Sequence, residues 1–194
     1  MDIADFLSSV DLVDVLVALF LFGMFVLGYV QGTIRRVVGI LTMTFSFFLA
    51  ATLQVPLGEF LASHWVQYPA PYSFMLAFLT IFAASVIAFS LVVQGTYKKV
   101  EIFARHPVLD EVIGGMLGVL QGLLLLLFLL IAMDGYFLLR TAPDPDELPF
   151  LRDFWTAIDG SAFGGLLHDN VIPPFVALFS IVLPESMRSL YGVQ

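Results

Sequence analysis

Cysteine is absent from the 194-residue chain and charge is scarce: charged residues make up 12% of it, about half the ~25% usual in soluble domains. The missing cysteine excludes disulfides, thiolate metal sites and cysteine nucleophiles. Lysine and arginine number eight against sixteen acidic residues. They form no basic stripe, so the sequence offers nothing that would bind nucleic acid. A soluble fold with so few charges could not cover its own surface.

Hydrophobic residues are abundant instead, at 60% of the chain, where soluble domains have roughly 45–50%. Four apolar stretches come close to the ~20 residues that a helix needs to cross about 30 Å of hydrocarbon. They are residues 12–30, 37–55, 72–93 and 112–133. The sequence therefore predicts an all-α, polytopic membrane protein with four transmembrane helices. Four such segments make soluble core helices a poor alternative.

The short connections predict the orientation, because lysine and arginine favour the cytoplasmic side of a membrane. Arg35 and Arg36 follow the first span, and Lys98, Lys99 and Arg105 follow the third, whereas the second connection has neither residue type. We therefore expect both termini outside, which in a bacterium is the periplasm. The N-terminus is acidic where a cleavable signal peptide is positive, so we expect the first span to be retained.

The second connection predicts a short helix on the outer membrane surface. Pro56 is expected to end the second span, and apolar residues recur at helical spacing over 57–66. Trp65 and Tyr68 are residues that favour the headgroup region. Such a segment fits an amphipathic helix that lies in the interface.

The last third of the chain predicts an acidic outer layer. Residues 141–160 are acidic, begin with several prolines and are expected to be exposed, and 148–158 form a helical pattern within them. Residues 171–183 are too few to span the bilayer, so we expect an outer-surface or half-inserted helix, with a fifth span as the alternative. The chain then divides into a transmembrane domain, 1–135, and an outer segment with short amphipathic helices, 136–194.

Glycines recur every four residues in the first and fourth spans, at positions Gly28, Gly32, Gly114, Gly118 and Gly122. Residues four apart share one face of a helix. A glycine face lets two backbones approach closely, and close packing is what holds helices together in lipid. The first two glycines end one span, and the next two begin another, on the same side of the membrane. We therefore expect these two spans to pack together, although glycine is also simply common in membrane helices.

The same short motif, Gly-x-x-Gln-Gly, occurs at 28–32 and at 118–122. Each copy lies downstream of an aspartate, Asp14 or Asp110. The two helices run in opposite directions. This pattern hints at the inverted repeats on which many transporters are built. The match covers only five residues, so coincidence is the alternative.

Six polar side chains are candidates for function: Asp14, Gln31, Arg35, Arg36, Asp110 and Gln121. Gln121 is the polar residue nearest the middle of the membrane, about 13 Å deep at 1.5 Å per residue. A buried amide in lipid commonly hydrogen-bonds to a neighbouring helix. We expect that role for Gln121, with contact to a substrate as the alternative.

The charged candidates lie nearer the ends of the spans. Asp14 and Asp134 are expected to be solvated end caps, with a functional role at membrane depth as the alternative. Asp110 is expected to be the N-cap of the fourth helix. Arg35 and Arg36 are interpreted as topology anchors near anionic headgroups, with binding to a partner second.

Catalytic patterns are missing from the sequence. His64, His106 and His168 fall in three different connections, predicted on opposite sides of the membrane, so the three cannot share one metal site. No nucleophile elbow, Walker loop or His-Glu-x-x-His motif is present. We therefore expect no catalytic, cofactor-binding or metal-binding residues, and no enzyme.

Three places in the sequence carry a family resemblance. Asp14 precedes the first span, whose inner end reads Gln-Gly-Thr-Ile-Arg-Arg at 31–36. The fourth span begins with Leu-Asp-Glu-Val-Ile-Gly-Gly-Met-Leu-Gly-Val-Leu-Gln-Gly at 109–122, and Leu-Pro follows late, at 183–184. This arrangement resembles the colicin V production protein family of bacterial inner-membrane proteins. The resemblance covers residues 11–135 well and the remainder loosely.

The sequence departs from that family in its charges. Gln31 and Gln121 stand where an arginine is common, and so does Glu111. The departure puts in doubt any family role that needs those positive charges. The resemblance implies a multi-pass inner-membrane protein linked to colicin V production or export and to envelope maintenance. It implies no known biochemical mechanism.

Two classes of function follow from these observations. The favoured hypothesis is an accessory protein for colicin V production or export, or for envelope homeostasis. The rival is a small transporter or channel that works as an oligomer, because four helices make a narrow bundle. The expected partners are the lipid bilayer, further copies of the chain, and envelope or secretion proteins; nucleic acid is not expected.

Overall fold

A computed structural model describes residues 11–96, 107–140, 147–180, 183 and 185–192. That part of the chain is helical and contains no strand, which confirms the all-α prediction. Its elements are α1 (Leu12–Gln31), α2 (Thr33–His64), α3 (Ala70–Thr96), α4 (Pro107–Phe137), α5 (Pro149–Asp159), α6 (Ala162–Leu166), a π-helix (Leu167–Val171), α7 (Ile172–Leu178) and α8 (Glu185–Leu190).

The helices α1 to α4 are each long and apolar enough to cross a membrane, which confirms the four predicted spans. α2 has 32 residues and α4 has 31. At 1.5 Å per residue these lengths are about 48 Å and 46 Å, so both helices extend beyond a hydrocarbon core of about 30 Å. The basic residues of the third connection, Lys98, Lys99 and Arg105, lie outside the described residues.

The second span does not end at Pro56, and residues 57–66 do not form a separate surface helix. α2 continues through Pro56 to His64. Proline removes one intrahelical hydrogen bond, but membrane helices tolerate it where neighbouring helices support the chain. Two residues later Gly58 lies directly against the Phe74 ring of α3, and α2 packs extensively on α3. This packing stabilises the helical conformation on both sides of the proline, so α2 is not interrupted there.

The four long helices pack as two pairs that meet at α4. α1 packs mainly on α4, α2 packs mainly on α3, and both α2 and α3 also contact α4. Near the middle lies a group of rings that we call the phenylalanine layer, at most 3% exposed: Phe47, Phe78, Phe82 and Phe128. The rings of Phe47 and Phe128 stack with centroids 4.2 Å apart. In lipid, such close packing replaces water expulsion as the force between helices.

The described part of the C-terminal apolar run packs into one end of the bundle, and its helix is too short to cross a membrane. We call the end of the bundle where α4 begins the inner end, and the end where α4 finishes the outer end. The π-helix leads into α7, which has only seven residues. Ile172 and Val176 are fully buried, and the Phe175 ring lies 6.0 Å and 5.6 Å from two rings of the phenylalanine layer. α7 therefore enters the bundle from the outer end.

α5 confirms the helical stretch predicted at 148–158. Pro149 stands at its first position, where the missing N–H costs nothing and the fixed φ favours the helix. Trp155 of α5 places its ring 5.5 Å from that of Phe137, in the last turn of α4. The outer segment therefore begins by folding back over the outer end of α4.

Candidate functional site

A seam of glycines joins α1 to α4, and it consists of Gly28, Gly32, Gly114, Gly118 and Gly122. A Cβ atom added at Gly114 would lie 2.6 Å from the Gly28 carbonyl oxygen. One added at Gly118 would overlap the Met24 carbonyl, and one at Gly122 would lie 3.1 Å from the Met24 side chain. Real Cβ atoms essentially never approach other heavy atoms below 3.0 Å. The structure thus brings Gly28, Gly32, Gly114 and Gly118 together where the two backbones are nearly in contact, and Gly122 lies one turn further on against side chains of α1.

Gly32 forms the corner between α1 and α2, and Asp110 lies against it. The φ of 78° at Gly32 is in the left-handed region that favours glycine. Thr33 Oγ1 donates to the Asp110 carbonyl oxygen at 3.0 Å. Asp110 is not the N-cap, because α4 already begins at Pro107, and proline suits the first turn of a helix. Its side chain is instead buried inside that turn.

Arg36 and Gln121 form a polar pair within the inner half of the bundle. Arg36 Nη1 donates to Gln121 Oε1 at 2.7 Å, so Gln121 is bonded to a neighbouring helix. Arg36 is only 5% exposed, so it lies between helices and not at the exposed end of a span, where a topology anchor was expected. It lies three residues after Thr33, on the face of α2 that meets α4. Gln31 and Arg35 line a cavity of about 210 Å³ together with this pair.

Asp134, near the outer end of α4, is the centre of a second polar site and is fully buried. Its carboxyl group accepts hydrogen bonds from Trp155 Nε1 at 2.8 Å, from His168 Nε2 at 2.9 Å and from the Tyr191 hydroxyl. We call these four residues the Asp134 cluster. The prediction of a solvated end cap at Asp134 is wrong, because the outer segment covers this carboxyl and supplies donors in place of water.

Two carboxyl groups raise the pKa of His168. The hydrogen bond to Asp134 is the largest cause, and the charge of Asp159 adds to it, while burial opposes both. His168 Nδ1 lies 3.2 Å from Asp159 Oδ1, an ion-pair distance without hydrogen-bond geometry. Burial also raises the pKa of the Tyr191 hydroxyl, and the neighbouring Asp134 raises it further. Tyr191 therefore remains a donor at physiological pH.

Asp14 connects the start of α1 with the outer segment. Asp11 caps this helix, and Asp14 Oδ2 accepts from the Asp11 backbone N–H at 3.4 Å, which completes a capping box. The other carboxyl oxygen accepts from the Phe163 backbone N–H at 3.0 Å. Asp14 is therefore an end cap that also holds α6 against α1.

A buried acid stabilises the junction between α4 and α5. Glu147 accepts two hydrogen bonds from Arg152, from Nε at 2.6 Å and from Nη2 at 2.8 Å, and one from the Tyr136 hydroxyl at 2.6 Å. This pairing raises the pKa of Arg152. Glu147 is buried, although the segment 141–160 was expected to be exposed; residues 141–146 lie outside the described residues.

Sequence reasoning missed the Asp134 cluster. Its other members follow Asp134 by 21, 34 and 57 residues, and no periodicity links them. The available signal was weak: an aspartate at the end of an apolar run, with a histidine and aromatic donors in the segment that follows. His64 is exposed at the end of α2, and His106 lies outside the described residues. Among the residues that the structure describes, no three potential metal ligands stand together.

The four membrane-crossing helices define a multi-pass α-helical membrane protein. Residues 13–152 match the family described as Colicin V production protein. This match covers well over half of the chain, and the chain therefore belongs to the colicin V production protein family. Neither a curated protein nor a solved structure matches the sequence.

Proposed function

We propose that this chain is an inner-membrane accessory protein for colicin V production or export, or for envelope homeostasis. In this proposal it acts by binding partner proteins, and it neither catalyses a reaction nor conducts a solute. Membership of the colicin V production family supports the general role. The observation that carries the proposal is the phenylalanine layer, which separates the two polar sites of the bundle.

The two polar sites lie far apart along α4. Gln121 and Asp134 are thirteen residues apart, or about 20 Å at 1.5 Å per residue. Between them the side chains of the phenylalanine layer and of Leu127 are at most 3% exposed. A conducting pathway needs polar lining or a hydrophobic constriction that can open to water. Within the described residues, a single copy of the bundle shows a packed apolar barrier instead.

Reconstitution into liposomes tests this function. We expect the purified chain to produce no more proton flux, K⁺ flux or carboxyfluorescein leakage than protein-free vesicles, because the phenylalanine layer blocks the bundle. Proton flux is measured by pyranine fluorescence after a pH step, and leakage by the release of trapped carboxyfluorescein. K⁺ flux is measured by quenching of a pH-sensitive dye under a K⁺ gradient with a protonophore, and valinomycin serves as the positive control. Flux that rises with protein content would overturn the accessory role. It would favour the oligomeric transporter, to which the repeated Gly-x-x-Gln-Gly motif also points.

The proposed orientation places the inner end in the cytoplasm and both termini in the periplasm. Its support is the positive-inside distribution of Arg35 and Arg36 at the inner end of the bundle, and of the basic residues 98–105 in the third connection.

Reporter fusions test this orientation. Alkaline phosphatase fused after Gln194 should be active, and green fluorescent protein at the same point should be dark, because the first folds only in the periplasm and the second only in the cytoplasm. Fusions to a chain truncated after Lys99 should show the opposite pattern and serve as the control. Fluorescence from the full-length fusion would show that the proposed sidedness is wrong.

A further inference from the structure

A polar cavity of about 210 Å³ lies in the inner half of the bundle, where all four long helices contribute to its walls. This volume is several times the ~30 Å³ that one water occupies in the liquid, so the cavity has room for a small solute group. Two arginines and no carboxylate stand among its described lining residues. The polar members of the lining are Gln31, Arg35, Arg36, Thr42, Ser90 and Gln121.

Among the residues that the structure describes, none balances the positive charge of Arg36. The side chain is 95% buried, as its 5% exposure shows. Its Nη1 donates to Gln121, which is neutral, and its Nε is buried without an acceptor in the described part of the chain. The charged neighbour that acts on it is Arg35, which carries the same sign. A buried charge without an opposite partner is strongly unfavourable.

Two carboxyl groups in the first turns of α4 lie away from Gln121. Asp110 and Glu111 precede Gln121 by eleven and ten residues, or about 16 Å and 15 Å along the helix. Asp110 lies against the Gly32 corner, where its Oδ1 is buried without a hydrogen bond, and Glu111 lies beside the Tyr29 hydroxyl. The counter-charge for Arg36 therefore has to come from outside these residues.

We propose that this cavity binds an oxyanion of the phosphate class, either the phosphate of an anionic lipid headgroup or soluble phosphate. A guanidinium presents Nε and one Nη as a fork that matches two oxygens of such an anion, and Nε of Arg36 is the donor left without a partner. Arg35 adds a second charge and Ser90 adds a hydroxyl group, whereas the Thr42 hydroxyl already donates to the Gly39 carbonyl oxygen. A tetrahedral phosphate presents three or more acceptor oxygens in different directions, whereas the two oxygens of a carboxylate lie in one plane.

The test uses the purified full-length chain in an uncharged detergent with two probes, phosphatidylglycerol and inorganic phosphate. Thermal unfolding reports stabilisation by each probe, and native mass spectrometry counts retained phosphatidylglycerol. We expect one probe or both to raise the unfolding temperature of the wild type. A response to phosphatidylglycerol alone identifies the lipid headgroup as the source, and a response to inorganic phosphate alone identifies a soluble anion.

Two variants and a control locate the site. Arg36→Gln removes the unbalanced charge and should weaken the binding of the responding probe about tenfold or more. Gln121→Glu places a carboxylate next to Arg36 Nη1, where it supplies the counter-charge internally. This variant should lose anion affinity to a similar extent, yet unfold at a higher temperature than the wild type when no anion is present. Arg140→Gln, which removes an exposed charge at the outer end, should bind like the wild type.

The proposal is overturned if neither probe stabilises the wild type, or if both variants respond as the wild type does. Should Arg36→Gln fail to fold, Gln121→Glu decides alone, because it keeps Arg36 and its hydrogen bond in place. A Gln121→Glu chain that is less stable than the wild type without anion would show that Arg36 needs no counter-charge.

Discussion

Replacing Gly118 by leucine is expected to separate α1 from α4 and to destabilise the chain by about 1–3 kcal/mol or more, the usual cost of overpacking. A Cβ at Gly118 alone would overlap the Met24 carbonyl and lie 3.2 Å from Gly28 Cα. Backbone atoms cannot rotate away as a flexible side chain can. α1 depends on this seam more than the other spans do, because its contacts with α2 are few. The measurement is the free energy of unfolding in detergent titrated with sodium dodecyl sulfate, followed by circular dichroism.

Gly23→Leu is the matched control, since Gly23 lies on the same helix pair and a Cβ there would meet nothing within 4 Å. Leucine also has a higher helix propensity than glycine, by close to 1 kcal/mol. We therefore expect the control to be neutral or slightly stabilising. Equal destabilisation by Gly118→Leu and Gly23→Leu would show that glycine at the seam has no packing role.

The hydrophobic pattern predicted the spans because the folding of a long apolar run in a membrane is determined by the lipid around it. A run of about 20 apolar residues must be a helix in lipid, since every backbone polar group then bonds within the segment. The hydrophobic pattern could not predict where each helix ends, because that depends on contacts with other helices. Pro56 was expected to break a helix by its own chemistry, yet the packing of Gly58 on Phe74 continues α2 past it. That contact joins two different spans, and it has no signal in the sequence around Pro56.

The contacts of the polar residues could not be predicted from the sequence for the same reason. An arginine at a span end is ordinarily a topology anchor, and Arg36 fits that description in sequence. Its burial follows from the face of α2 on which it lies and from its distant partner Gln121. Asp134 likewise depends on chain far beyond the span, up to Tyr191. Spacing predicts the partners of a residue within one helix, whereas these pairs are 85 and 57 residues apart.

The fold of the outer segment explains why Asp134 is the most sensitive polar position of the chain. One of its oxygens accepts from both His168 and Tyr191, and the other accepts from Trp155. Asparagine has the same shape but only one acceptor oxygen, so Asp134→Asn leaves at least one buried donor unpaired and removes the charge that faces His168. We expect a loss of about 3–5 kcal/mol, typical of breaking a buried charged pair. Asp153→Asn, an exposed acid in α5, should change stability by less than about 0.5 kcal/mol.

The pH dependence of stability separates the charge of His168 from its packing. The groups that face its ring are Asp134 from α4, Asp159 from α5 and the Gly164 backbone from α6. Because they raise its pKa in the folded chain, the stabilisation is complete below its ordinary pKa of about 6.5. It is lost as the pH rises through the raised value. Unfolding followed by circular dichroism should therefore show a wild type whose free energy of unfolding falls above pH 6.5. In an Asp134→Asn chain this free energy should depend much less on pH. Parallel slopes in the two chains would mean that the ion pair contributes nothing.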